Sequence, residues 1–194
     1  MSYLKKIEYK IILKDSFWVI KSCPKCSKKT HFKNTKKFRI NANGNKLDIW
    51  LIYQCAECKH TLNLAIYARQ KVSSIPKEEY QRFLENNEQL AEMYGKDIKL
   101  FLKNKADIDF SKLDYDIIKL HETIESSEFG EQTWVTINNP YKLKIRPEKQ
   151  IALALGLSRS QMKSLLEKGE IKLEMELPQF ISIKIYSLPF YIDK

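Results

Sequence analysis

The chain has four cysteines, and they occur only as two matched pairs: Cys23 and Cys26 in "CPKC", Cys55 and Cys58 in "CAEC". Two residues between the thiols let both sulfurs of a pair point at one centre about 2.3 Å away, the distance at which thiolates hold tetrahedral zinc. Four thiolates complete that shell and leave no open position for a reacting water. The spacing therefore predicts one structural Zn2+ per chain, bound by Cys23, Cys26, Cys55 and Cys58, with no chemistry at the metal. A redox pair of the thioredoxin kind would stand alone at a strand-to-helix turn, whereas these pairs flank an apolar, strand-like stretch. His31 and His60 lie close to the pairs in sequence and are read as neighbours of a site already complete. His121 stands alone and is read as a polar strand position.

Other reacting groups are not arranged for catalysis. The sequence has no HExxH, GxSxG, P-loop or GxGxxG. Its five glycines all fall at turns or helix ends: Gly44 in a hairpin, Gly130 in a turn, Gly95, Gly156 and Gly169 at helix ends. None is left to cradle a phosphate. Asp107, Asp109, Asp114 and Asp116 lack the spacing of a metal or acid–base pair and read as a solvated face. No catalytic residue is assigned, and an enzyme is not expected.

The cations are better organised. "KKTHFKNTKKFR" interleaves Lys28, Lys29, Lys33, Lys36, Lys37 and Arg39 with His31, Phe32 and Phe38. Lysines at such spacing can meet phosphates while exposed rings stack on bases. Alternatively, Phe32 and Phe38 are core and the lysines keep a small module soluble. Net charge is +10, but it is segregated: +12 over residues 1–72, −6 over 73–140 and +4 over 141–194. Basic, acidic, basic blocks suggest three segments with polyanion-facing surface at both ends.

The elements that must position these residues follow from the patterns. "KKIEYKIILKDSFWVIKS" reads as one or two strands entering the first knuckle. Asn43-Gly44 between alternating runs predicts a two-residue type I′ hairpin. That turn sets Phe38 opposite Ile49, Ile40 opposite Leu47, Arg39 opposite Asp48 and Phe32 opposite Cys55. "HTLNLAIYARQKV" is a further strand. From Pro76 to about Asn104 the pattern is helical, capped by Ser73 or Ser74 and broken at Gly95. "LDYDIIKLHETI" and "QTWVTI" read as strands flanking a polar turn around Gly130. Then "RPEKQIALALGLSRSQMKSLLEKGEI" reads as helix, turn, helix. Pro147 starts the first helix, Gly156 ends it, and Ser158 with Gln161 forms a capping box on the second. Met162, Leu165 and Leu166 make its buried stripe, and "IKLEMEL" and "FISIKIYS" follow as strands.

Two resemblances extend this reading. The last segment resembles the alpha-L RNA-binding module of ribosomal-protein type, matching at Arg146, Lys149, Gly156, Leu157, Ser158, Arg159, Ser160, Leu165, Gly169 and Ile171. It departs from that pattern at Pro147 and Glu148, and in having "KLEMELPQF" where an Asn-Gly turn is the rule. The resemblance implies two helices plus a β-hairpin that bind structured RNA. "KFRINANGNKLDIWLIYQCAECKHTLNL", with "CPKC" and "LSRSQ", is similar to an uncharacterised bacterial family, domain of unknown function 1062, which brings no activity with it.

The expected protein is α+β: a zinc ribbon over residues 1–72, an acidic helical and mixed segment over 73–140, and an alpha-L-like module over 141–194. Its expected function is non-catalytic binding of RNA, ribosomal or otherwise structured. Contacts would come from Arg146, Lys149, Arg159 and Lys163, with Lys33, Lys36 and Lys37 as a second patch. A protein-interaction or transcription adaptor built on the ribbon, or an RNA-modifying enzyme, are the alternatives. "MSYLKKIEYKIILKD" lacks the apolar core of a signal peptide, and no apolar run approaches a membrane span, so a cytoplasmic location is expected.

Overall fold

The computed structural model describes residues 2–127 and 132–186. Among these residues ten strands form two five-stranded sheets and five helices accompany them, a mixed α+β fold. In chain order the first elements are β1 (Ser2–Leu13), β2 (Val19–Cys23), β3 (Lys28–Asn43), β4 (Lys46–Cys55) and β5 (Thr61–Lys71). Three short helices follow, α1 (Lys77–Leu84), α2 (Glu88–Gly95) and α3 (Ile98–Lys103), and then β6 (Asp107–Ile108), β7 (Tyr115–Ser127) and β8 (Gln132–Asn138). The last elements are α4 (Pro147–Leu155), α5 (Arg159–Glu167), β9 (Ile171–Leu177) and β10 (Phe180–Ile185). No helix among the described residues is long and apolar enough to cross a membrane.

Contacts close the chain into two compact units. One is contiguous, Leu13–Asp114; the other joins the residues up to Ile12 with those from Tyr115 onward. The charge blocks 1–72, 73–140 and 141–194 cut across both, because packing rather than charge decides where a unit ends.

In the contiguous unit the strand order is β5-β4-β3-β2-β6, with every neighbouring pair antiparallel. Strict alternation on β4 buries Leu47, Ile49, Leu51, Tyr53 and Cys55, so one face of the sheet is apolar. The short helices α1, α2 and α3 cover that face. Phe83 meets Phe38 edge-on at 4.8 Å, and Phe101 meets Phe17 at 5.4 Å and Tyr53 at 6.0 Å. The Tyr53 hydroxyl, fully enclosed, donates to the Phe17 carbonyl at 3.1 Å.

The β3–β4 hairpin forms, but its turn is one residue further on than expected. Gly44 and Asn45 make the loop, with Gly44 at φ +59° in the first position, where a II′ turn needs glycine. Phe38 therefore faces Leu51, Ile40 faces Ile49 and Arg39 faces Trp50, while Asp48 lies opposite Asn41. Phe32 does face Cys55 as expected, because a bulge at Thr35-Lys36, with Lys36 at φ +58°, takes up the two-residue difference. A shift of two keeps each side chain on its own face, so the apolar pattern is satisfied by either register.

The helical segment breaks twice, not once. Asn86, at φ +51°, ends α1, and its Oδ1 accepts the Phe38 amide at 2.7 Å. Asn87 then caps α2 by accepting from the Leu90 amide, and Asp97 caps α3. Neither Ser73 nor Ser74 caps α1; Ser74 donates to the Lys71 carbonyl inside a 3-10 turn. Gly95 ends α2 as expected, and it is also needed for contact. A Cβ there would lie 2.3 Å from Ser16 Oγ and 2.6 Å from Asn34 Nδ2, and its carbonyl accepts the Phe17 amide at 2.8 Å.

In the two-part unit the order is β7-β1-β8-β10-β9. β7 and β8 are strands as expected, but they do not pair with each other: β1 lies between them and runs parallel to β8, from Leu4 opposite Gln132 to Lys10 opposite Asn138. The turn expected around Gly130 lies outside the described residues. The α4–α5 pair forms as the sequence reads it. Pro147 is the first residue of α4, Gly156 at φ +67° ends it, and Ser158 and Gln161 exchange both hydrogen bonds of the capping box. Ile151, Leu155, Met162 and Leu165 are buried along with Val135, Ile137, Ile181 and Ile183 of the sheet, whereas Leu166 is only half-buried.

Candidate metal centre

Each cysteine pair sits where a strand ends and the chain reverses. Cys23 closes β2, and Cys26 lies in the turn leading to β3; Cys55 closes β4, and Cys58 lies in the turn leading to β5. The residue after each second cysteine, Ser27 at φ +54° and Lys59 at φ +63°, adopts a left-handed conformation, so the two knuckles have the same shape. The Phe32–Cys55 pairing brings them together.

The four sulfurs lie within 4.8 Å of one another, with Cys23 Sγ 3.5 Å from Cys58 Sγ and Cys26 Sγ 3.9 Å from Cys55 Sγ, and all four thiols are free. Sulfurs at the corners of a tetrahedron around one ion, at 2.3 Å each, would be about 3.8 Å apart. The donor set and its spacing therefore fit a thiolate-bound metal ion. Cys23 and Cys55 are buried and Cys26 and Cys58 half-buried.

The electrostatics of the cluster also point to a cation. Cys55 is held down to about 6 by the Cys58 backbone amide, the Thr30 hydroxyl at 3.3 Å and the Glu57 amide. Cys26 is pushed up to about 12, chiefly by its hydrogen bond to Cys58, then by burial and by its bonds to Cys23 and Cys55. One thiolate is thus favoured, and the next is opposed by the sulfurs around it. A doubly charged cation at the centre removes that opposition, and its binding must release protons.

Thr30 is a part of this site that spacing could not show. It is 4% exposed and lies on the face shared with Phe32 and Cys55. Asp109 is another. Its Oδ2 meets His31 Nε2 at 2.9 Å, and its Oδ1 accepts the Ser111 amide at 3.0 Å and hydroxyl at 2.6 Å. Ser111 above all, with His31, holds the Asp109 carboxyl below the usual carboxylate range. No local signal marked this pair, whose members are 78 residues apart. His60 supplies only its carbonyl, to the Cys55 amide at 2.8 Å.

The cations separate by location. Lys28 pairs with Glu57 at 3.0 Å, and Lys36, carried to the helix side by the bulge, pairs with Glu92 at 2.6 Å and Glu88 at 3.5 Å. Lys33 and Lys37 are exposed. Phe32 and Phe38, at 1% and 7% exposure, are core and cannot stack on a base. In the two-part unit Arg146, Lys149, Arg159 and Lys163 are all exposed. Lys163 lies 3.6 Å from Glu167, and the Lys149 ammonium is 5.7 Å from the Tyr115 ring centre. His121 lies 3.5 Å from Glu8, whose carboxylate also accepts from Asn138 at 2.9 Å.

No curated protein and no solved structure matches the chain. One family profile, described as a protein of unknown function (DUF1062), matches residues 40–177. The matched stretch begins after Cys23 and Cys26 and takes in Cys55, Cys58, the three short helices and the capped α4–α5 pair. With most of its length covered, the chain belongs to the DUF1062 family of proteins of unknown function.

Proposed function

We propose that this is a zinc-stabilised, non-catalytic RNA-binding protein. Zn2+ is the metal that best suits a closed set of four thiolates, and in such a site it fixes structure and performs no reaction. A cluster of four free thiols is kept in that state by a reducing compartment, which favours the cytoplasm.

The observation that carries the RNA reading is the outer surface of the α4–α5 pair. Its apolar residues Ile151, Leu155, Met162 and Leu165 are buried, while Arg146, Lys149, Arg159 and Lys163 stand in solvent around the two helix starts. Arg146 immediately precedes α4 and Arg159 opens α5, so each adds a full charge where backbone amides and the helix dipole already favour an anion. The order α4, α5, β9 and β10 supports the reading that the alpha-L resemblance implies, in which the first contact would be phosphate.

One observation favours a protein-binding adaptor instead. β9 is a sheet edge with Leu173, Met175 and Leu177 exposed, a surface open to a partner strand. Changing both Arg159 and Lys163 to Glu separates the readings. For an RNA binder, affinity for folded RNA falls, the slope of log affinity against log salt shrinks by about one to two, and the melting temperature stays put. Unchanged RNA binding removes this helix from the interface.

A further inference from the structure

The face of the contiguous sheet turned away from α1, α2 and α3 is built differently from the core face. Residues alternate along strands, so the positions between the buried ones share this open face. Register places Trp18 beside Lys33, Lys33 opposite Gln54, Lys37 opposite Ile52 and Arg39 opposite Trp50. Two tryptophans, each half-buried, thus lie on one face about 16 Å apart, two strands across and four residues along.

Both rings are surrounded by positive charge. The Lys33 ammonium is 4.2 Å and the Lys112 ammonium 4.5 Å from the centre of the Trp18 ring, and the Arg39 guanidinium is 5.9 Å from that of Trp50. Lys33, Lys37, Arg39 and Lys112 make no ion pair among the described residues, in contrast to Lys28 and Lys36. Of the nearby carboxylates, Asp109 is engaged by His31 and Ser111 and Asp48 by the Arg69 amide at 2.8 Å, while Asp15 lines the same groove as Trp18 and Lys33. Two ammoniums over one indole repel each other unless an anion lies between or beside them.

We infer that this face binds single-stranded RNA: Lys33 and Lys112 swing off the Trp18 ring, and Arg39 off the Trp50 ring, to meet phosphates together with Lys37, and the rings so freed stack on bases. The inference rests on the RNA reading above and adds a second site with its own ligand form. Duplex RNA hides its base faces, whereas an unpaired strand can lay successive bases on rings and its phosphates along a cationic face. Both features stand here on one rigid sheet.

The test uses the full zinc-loaded chain with Trp50→Phe and Trp134→Phe, which leaves Trp18 as the one indole of three. Titration with a single-stranded oligouridylate of about twelve nucleotides is followed by tryptophan fluorescence. Expected are saturable quenching, no quenching by a duplex of equal length, and about tenfold weaker oligouridylate binding on Trp18→Ala in the otherwise native chain. Lys33→Glu with Lys112→Glu, both at exposed positions, should weaken binding likewise and flatten the salt dependence, and it serves should Trp18→Ala fail to fold. The inference is overturned if oligouridylate leaves the fluorescence unchanged and these variants bind as the native chain does. Loss of folded-RNA binding on the Arg159 and Lys163 changes would then still support the general reading. Absence of binding to any RNA overturns both.

Discussion

The two units solve the same problem by opposite means. Each is a five-stranded sheet with helices on one face, yet the contiguous unit is made of neighbours in sequence and the two-part unit of strangers. In the former, β2 through β5 pair in order, and the two turns between them that carry cysteines are drawn to one point. In the latter, β1, second in the sheet, pairs with β8, more than a hundred residues away, and no cysteine is present. Local pairing with short loops costs little closure entropy, and this unit also holds the larger aromatic core, with Phe17, Phe32, Tyr53, Phe83 and Phe101 fully buried, so the cysteine cluster pins two turns at the sheet's end rather than standing in for a core. Distant pairing costs more and relies on apolar burial alone. The lesson is that one chain can hold two sheets whose stabilities answer to different conditions.

The strongest way to break this comparison is to remove the metal. Chelation, or Cys55→Ser, should strip amide protection from β2 to β5, since binding free energies of thiolate sites run to about 10 kcal/mol. Protection of β1, β8 and β10 should survive. Hydrogen exchange read by segment checks this, and metal analysis should find one zinc per chain. Equal loss in both sheets would show that the units do not melt independently.

A smaller effect is expected from Gly95→Ala. The added methyl meets Ser16 Oγ, Ser16 Cβ and Asn34 Nδ2 within 2.7 Å, and part of that contact is backbone-anchored. The contiguous unit should lose roughly 1–3 kcal/mol by chemical denaturation, with the two-part unit unaffected.

The smallest concerns acid. Because Asp109 is held below the usual carboxylate range, its contribution is complete above that range and is lost as pH falls through and below it. Asp109→Asn should cost about 1–2 kcal/mol at neutral pH and progressively less as pH falls below the usual carboxylate range. The difference between the two chains across pH isolates this effect from acid release of the metal. A constant difference would mean that the His31–Asp109 bond acts as a packing contact and not as a charged one.

How much of this was legible depended on the range of the interaction. The gathering of the four cysteines was readable because two residues between thiols is a local geometric demand. The capping box at Ser158 and Gln161 and the helix end at Gly156 were readable for the same reason. The hairpin was found but its turn misplaced, since Asn43-Gly44 and Gly44-Asn45 satisfy the same alternation and nothing in Thr35-Lys36 announces a bulge. The Asn86 break was missed because "ENNE" reads as helix surface until its carboxamide finds the Phe38 amide. Gly95 was seen as punctuation, and only Ser16 and Asn34 reveal it as a contact point. The insertion of β1 between β7 and β8 had no local signal at all. Trp18 passed unremarked because its partners, Lys33 and Lys112, come from distant parts of the chain.

The inner position of β1 has a consequence for synthesis. It leaves the ribosome well before β8, its parallel neighbour, which follows some 120 residues later. At about 5–20 residues per second the delay is roughly ten seconds. In that interval residues 13–114 contain every strand and helix of their own sheet and can fold as a nascent domain. β1, with Ile7, Tyr9 and Ile11 destined for a core, has no partner until β7 and then β8 emerge to flank it. The chain therefore exposes an unpaired apolar strand ahead of a finished unit for several seconds of its synthesis.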